Sequence, residues 1–302
     1  MRPDLRPSLI RPGTFVTHME TQPDMTQTQT RRLLITGVSS GLGRALAEQA
    51  LADGHDVTGT VRTERAREAF EALGARATGI MLDITDHAAI KPAIDRIEAD
   101  RGPIDVLVNN AGYGLEGTIE EASLDEIRRQ FEVNVFGAIA MIQAVLPHMR
   151  ARKAGHILNV TSMGGMITMP GLGLYHGSKF ALEGMTEALG KEVAGLGIHV
   201  TAVEPGAFRT DWAGRSMVRA ERHIPDYNAV FAQLHERRAE NDGPHLGDPQ
   251  RAARAMLEIL KVEAPPVHLL LGSDAVRLVG DQLARLQAEF ERWRTLSCST
   301  DA

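Results

Sequence analysis

Arg32-Leu-Leu-Ile-Thr36-Gly37-Val-Ser-Ser-Gly41-Leu-Gly43 is the stretch that decides the fold. A short apolar run ends in a glycine-rich turn, and a helical period continues through Ala45, Leu46, Ala50 and Leu51. The order is strand, turn, helix. Glycines at Gly37, Gly41 and Gly43 permit a tight turn and close backbone approach, so the helix N-terminus can hold a pyrophosphate. The spacing is G-x-x-x-G-x-G rather than the commoner G-x-G-x-x-G, and such turns also simply join strands to helices.

The remainder of the chain repeats the strand–helix unit. Strands are predicted at 56–61, 77–82, 104–108, 156–160, 198–203 and around 269–271, with Asp83 at the exit of the third. Amphipathic helices fall between them, at 63–73, from 86 to about 100, from 123 to about 150, and from Tyr175 to about 194. Short buried strands alternating with such helices give parallel βαβ units. The expected fold is α/β, a doubly wound, seven-stranded parallel sheet with helices on both faces. Residues 31–302 read as one domain, with an irregular lid at about 209–249 and a C-terminal helix at about 273–296. The apolar face of that last helix, Val276, Val279, Leu283, Leu286 and Phe290, is expected to pack on the core. Residues 1–30 show no helical or strand period and no signal-peptide core. They read as a disordered leader, or as the product of an upstream start codon with Met25 the natural beginning.

Composition removes several function classes. The 302-residue chain carries a net charge of -6, which offers no electrostatic footprint for nucleic acid. Its single cysteine, Cys298, cannot form an internal disulfide and suits a reducing compartment, so a cytoplasmic location is expected. No apolar run approaches the roughly 18–20 residues of a membrane span. His223, His235 and His245 of the lid match no compact metal motif, and no metal is expected.

Ser162 to Lys179 carries the candidate chemistry. Tyr175 and Lys179 lie four apart, so a helix puts them on one face. An ammonium beside a phenol favours the phenolate and draws its pKa down from about 10. A phenol so tuned exchanges protons near neutrality. By itself a Y-x-x-x-K pair is weak evidence, because helices bring many such pairs together.

Taken together, Thr36-Gly37-x-x-x-Gly41-x-Gly43, Asp83, Asn109-Asn110-Ala111-Gly112, Asn134, Ser162, Tyr175-x-x-x-Lys179 and Pro205-Gly206 resemble the short-chain dehydrogenase/reductase family in its compact single-domain branch. They keep that family's order over roughly residues 31–210. The resemblance implies a catalytic set of Asn134, Ser162, Tyr175 and Lys179. Tyr175 would be the general acid or base, Ser162 would bond the substrate oxygen, and Asn134 would anchor a relay water. Lys179 would hold the nicotinamide ribose. It also implies a nicotinamide dinucleotide bound by Gly37, Ser39, Ser40, Gly41, Leu42, Gly43, Asp83, Ile84, Asn110, Ala111 and Gly112. Pro205, Gly206, Phe208 and Thr210 would line the nicotinamide, together with Tyr175 and Lys179.

The departures are informative. Gly177 stands where the family usually has Ala, and His176 is unusual and expected to face away from the cofactor. The second strand ends Thr60-Val61-Arg62, without the acidic residue that receives a ribose 2′-hydroxyl. An Arg there welcomes a 2′-phosphate, so NADP(H) is the expected cofactor, with NAD(H) possible. Met163, Met166, Met169, Leu172 and Leu174, with Trp212 and Met217, suggest an apolar, adaptable substrate pocket, of which Met163, Met169 and Trp212 are the leading candidates. A small hydrophobic carbonyl or alcohol is the implied substrate. The sequence is most similar to hydroxysteroid- and retinol-dehydrogenase-like members. A non-catalytic dinucleotide sensor on the same fold typically loses the Tyr or Lys. A nucleotide-sugar epimerase needs a larger C-terminal domain. The resemblance also implies a homodimer or homotetramer through helices 123–150 and 172–194, with Ile139, Ile142 and Leu146 as apolar surface.

Overall fold

The computed structural model describes residues 30–212, 214–241 and 247–301. The expected leader thus lies, but for Thr30, outside the described residues, as does His245. In chain order the first half contains β1 (Arg32–Ile35), α1 (Gly41–Ala52), β2 (Asp56–Val61), α2 (Glu64–Glu71), β3 (Ala77–Met81), α3 (His87–Arg101), β4 (Val106–Asn109) and β5 (Gly114–Glu116). Then come α4 (Leu124–Phe131), a π-helical turn (Glu132–Gly137), α5 (Ala138–Arg152), β6 (Gly155–Val160), α6 (Gly173–Val193) and β7 (Ile198–Pro205). The chain continues with β8 (Met217–Arg219), α7 (Asn228–Asn241), α8 (Pro249–Glu258), β9 (His268–Leu271) and α9 (Ser273–Cys298).

Seven strands form one parallel sheet, as the sequence predicts, and their order is β3-β2-β1-β4-β6-β7-β9. Both faces are covered, so each strand is apolar on both sides. Leu33 and Ile35 of β1 and Val106 and Val108 of β4 join Ala47, Phe70, Ala253 and Met256 in one core layer. Their neighbours Leu34 and Leu107 turn to the opposite layer, with Ile90, Ile94, Met141, Val145 and Val193. Strand order reverses between β1 and β4, which opens a crevice beyond the carboxyl ends of the strands.

Four features differ from the sequence-based expectation. The helix expected from 123 to about 150 is interrupted by the π-helical turn, which carries Asn134. The apolar period runs across this turn unbroken, so nothing in the pattern marks it. That run, Leu124–Arg152, is also long and apolar enough to cross a membrane by length and composition, although 44% of its most apolar window is buried. Met141, Val145 and Met149 pack it against the sheet, as do Ile142 and Leu146, which were expected to be exposed. Second, the lid is not irregular. It holds β8, which pairs in parallel with β5, and the helix α7. Third, α8 packs on α1 through Ala252, Ala253, Met256 and Leu257, a helix for which the sequence pattern gives no separate signal. Fourth, α9 buries only Ala275 and Val279, and Val276, Leu283 and Phe290 of its apolar face are exposed. Periodicity identifies such a face but not the surface that meets it.

Candidate active site

The crevice is a cavity of about 1250 Å³. Every residue expected to bind the cofactor or act in catalysis lines it, except Gly43 and Asn134. Met163, Met169, Leu172 and Trp212 line it too, whereas Met166, Leu174 and Met217 do not. Met217 packs with Leu172 and Phe231, and Leu174 packs against Leu115, so both serve the core around the pocket rather than its surface. Gly43 and Asn134 stand behind the wall. A side chain at Gly43 would place its Cβ 2.3 Å from Asn110 Nδ2 and 2.5 Å from the Gly37 carbonyl oxygen. Only glycine lets the turn and the β4 loop come so close. Asn134 is buried, its Oδ1 accepting from Tyr113 N (3.0 Å) and its Nδ2 donating to Tyr113 O (3.0 Å) and Ser178 Oγ (3.1 Å).

The glycine turn is held by polar contacts that its motif does not spell out. Gly37 has φ +74°, and its N–H donates to Thr60 Oγ1 at 3.0 Å. Thr36 Oγ1 accepts from the backbone N–H groups of Asn110 (2.9 Å) and Ala111 (3.0 Å). Asn110 Nδ2 donates in return to the carbonyls of Thr36 (2.9 Å) and Gly37 (3.0 Å). Two loops from distant parts of the chain are thereby locked face to face. The N-terminus of α1 has no side-chain cap, and Ser39, Ser40, Gly41 and Leu42 open onto the cavity there. Unpaired amide donors at a positive helix end fit the pyrophosphate of a dinucleotide.

Asp83 and the exposed Arg62 face each other at one rim. Partial burial works against the Asp83 carboxylate. Hydrogen bonds from Thr85 N (3.0 Å) and Thr85 Oγ1 (2.8 Å), with the Arg62 charge, outweigh it and hold the carboxyl below its usual value.

At the other end β6 runs into Ser162, whose Oγ accepts from Gly164 N at 3.0 Å. Helix α6 presents Tyr175 and Lys179 beside it, and α6 is clipped to the sheet by a buried chain of polar groups. Asn109 Nδ2 donates to Asn159 Oδ1 (2.8 Å), and Asn159 Nδ2 donates to Thr186 Oγ1 (2.8 Å). Lys179 Nζ donates to Val160 O at 2.8 Å and stands 5.9 Å from the centre of the Tyr175 ring. Trp212 packs against the same ring at a tilt, centre to centre 5.2 Å.

The electrostatics correct one expectation. Burial pushes the Tyr175 phenol up to about 12, against the opposing effect of its hydrogen bond with Ser162. Burial likewise lowers Lys179 to about 8, with the Glu183 charge opposing. The ammonium was expected to draw the phenol down, but low-dielectric surroundings penalise both charged forms. In the protein alone desolvation wins over the pull toward neutrality.

Part of the wall escapes the sequence pattern. His176 lines the cavity instead of facing away. It is buried, and its Nδ1 donates to Gly164 O at 2.9 Å. Tyr113, Arg129, Arg215, Val230 and Leu234 line the cavity as well. Val230 and Leu234 lie four apart on α7, a signal that was available; Arg129 and Arg215 carry none. Among the described residues, one cluster has metal-ligand spacing: Glu183, Glu204 and His268. It lies outside the cavity, and His268 Nδ1 is 3.1 Å from Glu183 Oε1 and 2.7 Å from Glu204 Oε1. Burial and the adjacent Glu183 raise Glu204 to about 7, against the opposing hydrogen bond and charge of His268.

Comparison with known proteins gives a consistent picture. A family model described as short chain dehydrogenase matches residues 31–219. "Oxidoreductase BOA17" of Botryotinia fuckeliana is 38% identical over 90% of this chain and 99% of its own length. The "3-ketodihydrosphingosine reductase" of Bacteroides thetaiotaomicron is 35% identical over 81% of this chain and 88% of its own. Human "Retinol dehydrogenase 8" is 34% identical over 79% of this chain and 80% of its own. Among solved structures, a short-chain dehydrogenase from Streptomyces avermitilis superimposes with a TM-score of 0.85 at 38% identity, covering 91% of this chain and 100% of its own. One from Burkholderia cenocepacia in complex with NADP has a TM-score of 0.69 at 26% identity, over 87% of this chain and 97% of its own. Another from Burkholderia phymatum in complex with NAD has a TM-score of 0.74 at 25% identity, over 88% and 95%.

Proposed function

The chain belongs to the short-chain dehydrogenase family, an NAD(P)-dependent oxidoreductase family, and from that premise we propose that it interconverts a lipophilic ketone or aldehyde and its alcohol with NADP(H). The observation that carries the proposal is the cavity itself. One end is a backbone cradle with an uncapped helix N-terminus and an exposed Arg62, and the other is a buried Ser–Tyr–Lys group walled by Met163, Met169, Leu172, Trp212 and Leu234. A bound nicotinamide dinucleotide supplies the hydride. The chain supplies everything else. Ser162 Oγ donates a hydrogen bond to the substrate oxygen, and Tyr175 passes its phenolic proton to that oxygen in reduction or takes it back in oxidation. Lys179 steadies the phenol's protonation and holds ribose hydroxyls, while Trp212 and the methionines exclude water from the reacting carbon.

Arg62 supports NADP(H) over NAD(H), since a guanidinium at the end of β2 complements a 2′-phosphate and no carboxylate stands there for a 2′-hydroxyl. Relatives include proteins named 3-ketodihydrosphingosine reductase and retinol dehydrogenase, and the wall of Met163, Met169, Leu172 and Trp212 suits a lipophilic substrate here. A cytoplasmic, homo-oligomeric protein completes the proposal. The single exposed Cys298 supports the first part, and exposed Phe136, Phe180 and Met185 on the α5 and α6 side support the second. The test is a scan of NADPH consumption against aliphatic, aromatic and long-chain ketones and aldehydes. Turnover is expected to rise with substrate apolarity. Turnover confined to small charged carbonyls would overturn the reading of the wall.

A further inference from the structure

Helix α9 is the part of the molecule whose chemistry the site does not use. From Gly280 to Cys298 none of its residues is buried, a projection of roughly 27 Å at 1.5 Å per residue. A helix of that length with no tertiary partner is marginal in water. Yet its apolar residues are not scattered. Val276, Val279, Leu283, Leu286, Phe290 and Trp293 succeed one another at spacings of three and four, which is the a/d seam of a coiled coil. Val279 is spent on the domain itself, whereas Leu283 is 51%, Phe290 68% and Trp293 53% exposed.

We propose that α9 pairs in parallel with α9 of a second copy of this chain, so that the two domains are joined through a short C-terminal coiled coil. The flanking residues select that partner and that direction. In a parallel pair each residue before an a position meets, on the other helix, the residue five further along. Beyond the part buried on the domain, the pairs are then Gln282 with the partner's Gln287 and Glu289 with the partner's Arg294. Amides meet in the middle of the projecting segment, and opposite charges meet at its end. Reversing one helix while keeping Leu283, Leu286, Phe290 and Trp293 in the seam brings the two Glu289 side chains toward each other instead. A membrane surface is a poorer occupant. Arg277, Arg285, Arg292 and Arg294 are balanced by Asp274, Asp281, Glu289 and Glu291, which leaves no net attraction for anionic lipid. A seam of a and d positions is also narrower than the broad apolar face of an interfacial helix.

Cys298, exposed in the last turn, falls at an outward position of that heptad, whereas Ser297 beside it continues the seam, so a thiol at position 297 reports a parallel pair. In the full-length protein, light scattering is expected to give a multiple of the chain mass that Leu283→Glu/Phe290→Glu halves, with turnover unchanged. Mild oxidation is expected to link chains of Ser297→Cys/Cys298→Ser in pairs and to leave Cys298→Ser unlinked. Glu289→Arg is expected to weaken association about tenfold, and Glu289→Arg/Arg294→Glu to restore it, both being exposed changes that leave the fold intact. A single-copy native protein, an unchanged mass in the double variant, or a halved mass without any link in Ser297→Cys/Cys298→Ser each overturns the proposal. So does a native monomer that sediments with anionic phospholipid vesicles.

Discussion

One end of the cavity offers backbone amides and short polar side chains, while the other offers three side chains whose chemistry depends on being buried. At the first, Thr36, Thr60 and Asn110 tie two loops together through uncharged hydrogen bonds, and the charges of Arg62 and Asp83 sit at the rim. At the second, Ser162, Tyr175 and Lys179 are all buried, and burial moves both titrating groups away from their charged forms. The first end can be stable and ready at once, because backbone donors carry no desolvated charge. The second is costly for the folded protein, and its groups come into balance only with ligands beside them. Binding and chemistry therefore draw on different physics within one cavity, and substitutions separate them.

The largest effect belongs to the reaction end. Tyr175→Phe removes one oxygen from a closely packed ring and leaves the cradle untouched. Turnover is expected to fall at least about 10²-fold, the lower end for a lost acid or base, with NADPH affinity unchanged. Single-turnover kinetics beside fluorescence titration of the cofactor would show it. A proportionate loss of both would mean that the two ends are not separable.

Gly43→Val is the matching break at the cradle. Its Cβ would fall within 2.5 Å of both Asn110 Nδ2 and the Gly37 oxygen. Neither the turn nor the β4 loop can give way without losing the bonds that join them. The expected result is at least a tenfold weaker cofactor, with about 1–3 kcal/mol lost from stability by overpacking. The substrate KM at saturating cofactor should barely move. Urea unfolding and cofactor titration are the measurements.

Lys179→Met tests whether the reaction end really costs the protein stability. The folded pKa, about 8, lies below the ordinary 10.5. A group so depressed penalises the folded state in full below pH 8, where the unfolded chain holds its proton cheaply. The penalty fades as pH rises toward 10.5, as the unfolded side chain too gives up its proton. The variant without cofactor is expected to be inactive yet more stable by about 1–3 kcal/mol at pH 7. The gain should shrink in parallel urea melts at pH 10. A variant less stable at pH 7 would show that the bond to Val160 O outweighs desolvation.

The same contrast governs how much the sequence discloses. The cradle is local: an apolar run, three glycines and a helical period within a dozen residues specify β1, the turn and α1 without reference to anything remote. The sheet is legible for the same reason, since each buried strand shows its own apolar run. The reaction end is assembled from β6, α6 and the segment around Trp212, and only the resemblance to a family joins Ser162 to Tyr175 across a dozen intervening residues. What neither route exposes is non-local polar structure. The chain from Asn109 through Asn159 to Thr186 and the three-residue pairing of β5 with β8 have no periodicity to betray them. Helix α9 is the converse case. Its seam is plain in the sequence, but the partner for that seam is not a property of one chain's pattern.

The smallest effect sharpens the comparison at its rim. Arg62 is exposed, at the end of β2, with Asp83 close enough to feel its charge. An exposed guanidinium reads a phosphate through water and salt, unlike the buried groups at the other end. Arg62→Ala is therefore expected to cut the ratio of kcat/KM for NADPH over NADH about tenfold, or 1.4 kcal/mol, and to leave kcat with NADPH nearly intact. Because the Debye length falls from about 10 Å at 0.1 M to 3 Å at 1 M, raising the salt should narrow the native protein's preference toward that of the variant. The same salt should leave the rate of the Tyr175 proton transfer unchanged, since its partners are screened by protein rather than by ions. A preference for NADPH that persists in Arg62→Ala at both ionic strengths would move its source from the rim to the hydroxyls of Ser39 and Ser40.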